Sequence, residues 1–174
     1  ATLANNGVAM RPHTVVAMQS PATGRTVNVA PVVQDRIPLK AENIAIVKQG
    51  MMDVTLPGGT AASVGANAGY SIAAKTGTAQ VIGIKQNAKY DSSSINERHR
   101  DHALFIAYAP ADNPTIAMAV IVENGGHGGS AAGPIARKVM DYYLLGKSPN
   151  EPAAKPLKAQ AVQPAGHNES AHDE

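Results

Sequence analysis

Apolar positions along this chain change period several times, and each change marks an element. Over residues 12–38 they come in short extended bursts separated by turn formers. In "VVAMQSPATGRTVNVAP", Val15, Val16 and Met18 lead into Ser-Pro-Ala-Thr-Gly, and Val27 and Val29 lead out, the pattern of a β-hairpin. The period then lengthens. In "ENIAIVKQGMMDV", Ile44, Val47, Met51 and Val54 recur at helical spacing and predict a helix over about residues 41–54. Pro and Gly in "TLPGGTAASVGANAGY" stop it, and a strand is expected next, over about residues 71–82. The polar run "KQNAKYDSSSINERHRD" has few apolar positions and reads as a surface loop with room for a short helix.

Two dense apolar runs follow, "HALFIAYAP" and "TIAMAVIVEN", joined by the turn-forming "ADNP". They predict an antiparallel hairpin, and because both faces are apolar, a sheet covered on both sides. After the Gly-rich turn "NGGHGGSAAGP", the segment "GPIARKVMDYYLLG" reads as a helix. Pro134 suits its first position, Ile135, Val139 and Tyr142 form its packing stripe, and Gly146 suits its stop. Beyond that, residues 148–174 are Pro, Ala, Lys and Gln with scattered charge, and are expected to be a disordered tail after a folded unit of residues 1–147. The opening "ATLANNG" has the form of a helix end stopped by Asn-Gly, so the chain is expected to be part of a longer one. The element order, with three strands between helices, predicts an α/β (α+β) fold with an antiparallel sheet packed between helices.

Composition narrows the function classes. Fifteen basic and 13 acidic residues are intermixed for a net charge of +2, with no basic stripe, which argues against nucleic acid. There is no Cys, so disulfides and Cys-based metal sites are excluded. Aromatics make up 3%, so the core must be built from Ala, Val, Ile, Leu and Met.

One short stretch breaks the pattern. The predicted strand carries Lys75-Thr76-Gly77-Thr78 at its centre. A Lys with two Thr in a strand is often only a solvated face. Gly77 tips the balance, because Gly inside a strand weakens it and marks a place where a ligand or another backbone comes close. Strand alternation puts Thr76 and Thr78 on one face, with Lys75 and Gly77 on the other. A twist at Gly77 would bring the ammonium towards the hydroxyls, giving a group suited to a peptide carboxylate or an oxyanion. A phosphate loop is set aside: Ala74 stands where that motif needs Gly, and the flanks are strand-like.

Lys-Thr-Gly is a signature of penicillin-binding proteins and serine β-lactamases. Around it "GMMDVTLPGGTA", "YSIAAKTGTAQV", "RHRDHALFIAYAP" and "IAMAVIVENGG" follow in order, with "LANNGVAMRPH" upstream. Over residues 1–147 the chain resembles the carboxyl-terminal part of a class B penicillin-binding protein transpeptidase domain, most similar to the elongation-type, penicillin-binding protein 2 group. The resemblance implies a partial penicillin-binding/serine β-lactamase-like transpeptidase fold. It implies that Lys75 sets the electrostatics of the cleft and relays protons with a Ser of the middle motif. Thr76 and Thr78 would bind the terminal carboxylate of a D-Ala-D-Ala stem peptide or of a β-lactam, with the Thr78 N–H as an oxyanion donor. Gly77 would let the substrate backbone lie against the strand, and Ala79 and Gln80 would extend that wall. It further implies a periplasmic site at the inner membrane, a membrane-embedded lipid-II polymerase as partner, and no cofactor or metal.

The family's nucleophile motif, Ser-x-x-Lys, does not occur here; Ser71 lies four residues before Lys75. The letters Ser-x-Asn occur at Ser94-Ile95-Asn96 and Ser148-Pro149-Asn150, both after Lys-Thr-Gly and so in the wrong order. The nucleophile is therefore expected upstream of Ala1, and this chain alone is expected to be inactive. A non-catalytic sensor of β-lactam or peptide is the alternative, and a division-type transpeptidase the nearer one. Outside the motif, His99, Asp101 and His102 are expected to anchor the long loop by hydrogen bonds and ion pairs rather than to bind metal. His127 is expected to be a solvated loop residue, Asn124 and Gly125 to border the cleft, and Met51, Met52, Tyr142 and Tyr143 to pack.

Overall fold

The structure, a computed structural model, describes residues 1–83 and 95–148. Most of the polar run after Gly83, and all of the expected tail except Ser148, lie outside those residues. In chain order the elements are β1 (Val8–Met10), β2 (Ala17–Gln19), β3 (Thr26–Asn28), β4 (Val33–Arg36), α1 (Ala41–Asp53), α2 (Ala62–Gly65), β5 (Ala73–Ala79), a 3₁₀ turn (Glu97–His99), β6 (His102–Ala109), β7 (Ile116–Val122) and α3 (Ala132–Leu145).

The expected first hairpin is β2–β3, with Met18 opposite Val27. Strands β1 and β4 form a second ladder beside it, with Val8 opposite Arg36. Upstream of both, the first residues make one helical turn closed by Asn6 and Gly7, whose φ values are +51° and +89°. The Gly7 N–H reaches back to the Thr2 carbonyl, the six-to-one bond that ends many helices.

The central sheet runs β5-β6-β7, antiparallel throughout, with β5 at one edge. Alternation sorts its side chains into two layers. Ala74, Phe105, Ala107 and Met118 face α3 and α2 in the main core, where Phe105 and Met140 are the largest fully buried side chains. Removing each of these two from water contributes about 1.5–3 kcal/mol. On the opposite face Ala73 and Tyr108 join Ala4 and Ala111 in a smaller cluster, closed over by Met51 and Met52 of α1.

Three expectations need correction. The packing stripe of α3 is not Ile135, Val139 and Tyr142, which are 46%, 46% and 48% exposed; Ala132, Gly133, Ala136 and Met140 face the core instead. Small residues win because they let the helix come close: a Cβ on Gly133 would lie 2.7 Å from Val64 Cγ2. The same rotation leaves Tyr143 exposed, and since α3 begins at Ala132, Pro134 is its third residue, where its N–H would still have no intrahelical partner. Finally, the sheet is covered fully on one face only. Helix α1 reaches the β5 side of the other, leaving Ile106 and Ile121 49% and 64% exposed.

Candidate functional site

The Lys-Thr-Gly-Thr group lies in the middle and second half of β5, on the edge with no strand beside it among the described residues. An edge strand presents unpaired N–H and C=O groups to whatever approaches. Thr76 and Thr78 share the α3 face, opposite Phe105 and Ala103, while Lys75 and Gly77 share the other, opposite Ile106 and Leu104. Lys75 is exposed and its Nζ donates to the Thr76 carbonyl at 2.6 Å. Among the described residues it has no carboxylate partner, since the ion pair they contain joins Arg137 and Asp141. Its exposure leaves the cation accessible from solvent. Thr78 is exposed, as is Gln80, and Ala79 between them is half-buried.

Gly77 is closely surrounded. A Cβ there would lie 3.1 Å from Leu104 Cβ, and the backbone of the strand is met from behind by another glycine. Gly128 is buried so closely that its own Cβ would overlap the Leu104 carbonyl and lie 2.7 Å from Gly77 O and 3.0 Å from Gly77 N. Gly129 follows, with a Cβ position 3.5 Å from Thr76 Cγ2. The Gly-rich turn after β7 is thus the backing of the Lys-Thr-Gly strand.

One neighbour was not singled out in the sequence. Thr60, in the loop before α2, shares a hydrogen bond with Thr76, Oγ1 to Oγ1 at 3.3 Å. Nothing in local spacing marks it, because the two meet only once α2 has turned the chain back. Helix α2 is held by Arg137 of α3, whose Nη1 donates to the Val64 and Ala66 carbonyls at 2.6 and 2.9 Å and whose Nη2 donates to Asn67 O at 3.0 Å. Its Nε pairs with Asp141, which also accepts from the Tyr70 hydroxyl at 2.7 Å. Burial, then the bond to Asp141, pushes the Tyr70 phenol well above its usual range.

The remaining candidates fall away from the edge. Ser71 Oγ donates to Asp112 Oδ1 at 2.8 Å and accepts from the Ala111 N–H, so it fastens the end of β6 to the start of β5. That bond holds the Asp112 carboxyl below its usual range, which makes it a poor base for activating Ser71. Asn96 caps the 3₁₀ turn by accepting from the Arg98 N–H; Ser94, Pro149 and Asn150 lie outside the described residues. His127 is exposed. His102 accepts a backbone hydrogen bond from Asn124 at 2.9 Å, which ties it to the turn after β7, while most of the long loop it was expected to anchor lies outside the described residues; no group of three or more metal-ligating side chains exists among the described residues.

The helix–sheet–helix layering is that of a known class. The chain belongs to the family of penicillin-binding protein transpeptidase domains, whose model matches residues 1–141. Its relatives include several named alike. The chain is 41% identical over 165 residues to the peptidoglycan D,D-transpeptidase MrdA of Escherichia coli (strain K12), covering 91% of this chain and 25% of that protein. With the MrdA of Acinetobacter baumannii it shares 43% over 167 residues, covering 96% and 23%. Among solved structures, penicillin-binding protein 2 of Pseudomonas aeruginosa matches with a TM-score of 0.60 at 38% identity, over 94% of this chain and 30% of that one. Penicillin-binding protein A of Mycobacterium tuberculosis, solved as a ceftriaxone acyl-enzyme complex, matches with a TM-score of 0.61 at 33% identity, over 80% and 29%. The chain spans about a quarter of the curated relatives it matches.

Proposed function

We propose that residues 1–147 are the carboxyl-terminal part of the transpeptidase domain of a serine D,D-transpeptidase, and that the β5 edge is the substrate-binding wall of its active site. The observation that carries the reading is the grouping, on an edge that no other described strand covers, of an ammonium with no carboxylate partner among the described residues, two threonine hydroxyls and a glycine. Such an edge accepts an extended peptide as an added strand, while the cation and hydroxyls take its terminal carboxylate. Thr76 and Thr78 hold the carboxylate of a D-Ala-D-Ala stem peptide or of a β-lactam, and Ala79 and Gln80 extend the wall. The Thr78 N–H is one of two oxyanion donors, and Lys75 exchanges protons with the middle-motif Ser.

The nucleophilic Ser and its Lys base belong to the portion upstream of Ala1. The Ser attacks the carbonyl of the penultimate D-Ala, its proton passes to the departing terminal D-Ala, and an ester remains. The amine of a second stem peptide then displaces the Ser and forms the cross-link. A β-lactam opens on the same Ser and keeps its leaving group tethered, so the ester persists. The intact protein is placed at the periplasmic face of the inner membrane, beside the lipid-II polymerase of the elongation machinery.

Labelling with a fluorescent penicillin tests this, using the chain alone and then with its upstream half, followed by denaturation and mass mapping. The expected result is label only when both are present, and only on the upstream half. Label on this chain, with Ser71 and Ser94 the first residues to inspect, would place the nucleophile elsewhere. No label in either case would favour a non-catalytic sensor.

A further inference from the structure

The turn that backs the Lys-Thr-Gly strand is itself held from the front. Leaving β7, the chain passes through Asn124 and Gly126 in the left-handed region, with φ of +56° and +77°. Two backbone N–H groups of this turn point back at the start of β6. Gly126 donates to the Asp101 carbonyl at 2.8 Å, and Asn124 donates to Nδ1 of His102 at 2.9 Å. The second bond is made by a side chain, so a substitution can remove it without touching the backbone. Two residues further on, Gly128 lies against Gly77 with no side chain between them.

A ring nitrogen that accepts a hydrogen bond carries no proton, so this bond calls for the tautomer with its hydrogen on Nε2. His102 stands opposite Ala79, one strand in from the edge and half-buried, and its side chain links that end of the wall to the turn. We infer that His102 is a positioning residue for the site. By accepting the Asn124 N–H, its Nδ1 seats the turn between β7 and α3 against Gly77, and so keeps the β5 edge at the spacing a bound peptide needs. Removing the acceptor leaves a part-buried N–H unpaired and a left-handed non-glycine residue with less to hold it there. Any relaxation of the turn carries Gly128 with it, and Gly77 moves in turn.

The inference rests on the reading of the β5 edge given above, and its test separates the two. In the protein carrying its upstream half, the binding constant and the acylation rate for one β-lactam are measured for wild type, His102→Leu and His102→Asn. Asn places Oδ1 close to the position of Nδ1, whereas Leu fills the space without an acceptor. The expected result is acylation efficiency down about tenfold for His102→Leu, the effect of one hydrogen bond, and within about twofold of wild type for His102→Asn. Nitrogen-15 NMR of the wild type should show His102 Nδ1 unprotonated and coupled to the Asn124 amide. Wild-type acylation in His102→Leu, an Asn variant as impaired as the Leu variant, or a protonated Nδ1 would each overturn the proposal. If His102→Leu does not fold, the Asn variant and the NMR signature decide. Failure of wild type itself to be acylated would sink the reading of the edge instead.

Discussion

At Gly128 a methyl group would meet backbone: the Leu104 carbonyl first, then Gly77 O at 2.7 Å. Backbone in a paired sheet cannot swing aside, so Gly128→Ala should cost about 1–3 kcal/mol, the usual range for overpacking. At Gly77 the obstacle is the Leu104 side chain at 3.1 Å, which gives by a few tenths of an ångström, so Gly77→Ala should cost less. Denaturant midpoints of the two variants rank them directly. The exposed Thr78 hydroxyl is a different case, because it has no hydrogen-bond partner among the described residues. In the intact protein Thr78→Val should leave the melting temperature within a degree or two, since surface changes are small. It should slow acylation by a β-lactam about 10- to 100-fold, the worth of a hydrogen bond to a carboxylate. Near-normal acylation would remove Thr78 from the carboxylate site.

The elements differ in how legible they were. The hairpins were readable because period two and turn chemistry are local: Ser-Pro-Ala-Thr-Gly closes β2–β3, and "ADNP" closes β6–β7. The Lys-Thr-Gly-Thr group was legible for the same reason, since its residues are consecutive on one strand. Helix α3 was misread because burial there follows small size and not hydrophobicity; its Ala and Gly residues approach the sheet where Ile and Val could not. Thr60 and the Arg137 clamp were hidden because they join residues 16 and about 70 apart along the chain, and no window of sequence contains both ends. The clamp carries its own prediction. Arg137→Ala leaves three carbonyls around the end of α2 without their donor and the Asp141 carboxylate with the Tyr70 hydroxyl but no cation, and should cost about 2–4 kcal/mol. Urea unfolding of the variant measures it. Because α2 leads from Thr60, the same variant should also loosen the Thr60–Thr76 contact.

For the molecule as a whole, the half-covered sheet and the thin β1–β4 arm leave apolar surface in water, with Val16, Ile106 and Ile121 at 74%, 49% and 64% exposure. Sedimentation of this chain alone should show concentration-dependent self-association, weakened by Ile121→Lys. Alkaline pH is a second whole-molecule probe. Tyr70 is raised by burial and by Asp141, and Tyr108, whose hydroxyl is buried without a partner, by burial. Below about pH 10 both phenols are neutral in the folded and unfolded chain, and their contribution is complete. Above it the unfolded chain ionises first, so stability should fall as pH climbs towards the folded-state values. Urea midpoints measured at about pH 8 and about pH 11 should differ in that direction, and removing the Tyr70 hydroxyl should shrink the gap.

Strands β5, β6 and β7 and helix α3 are neighbours in space in the order in which they occur along the chain. Closing the long connection before β6 adds little beyond a short one, about 0.6 kcal/mol per doubling of length. The β6–β7 pairs, from Ala109 opposite Ile116 to Ala103 opposite Val122, are local and of the kind that form quickly, and β5 joins them across the longer connection. The wall is therefore built outward from its inner hairpin, and the edge proposed to hold substrate is the part of the sheet set last.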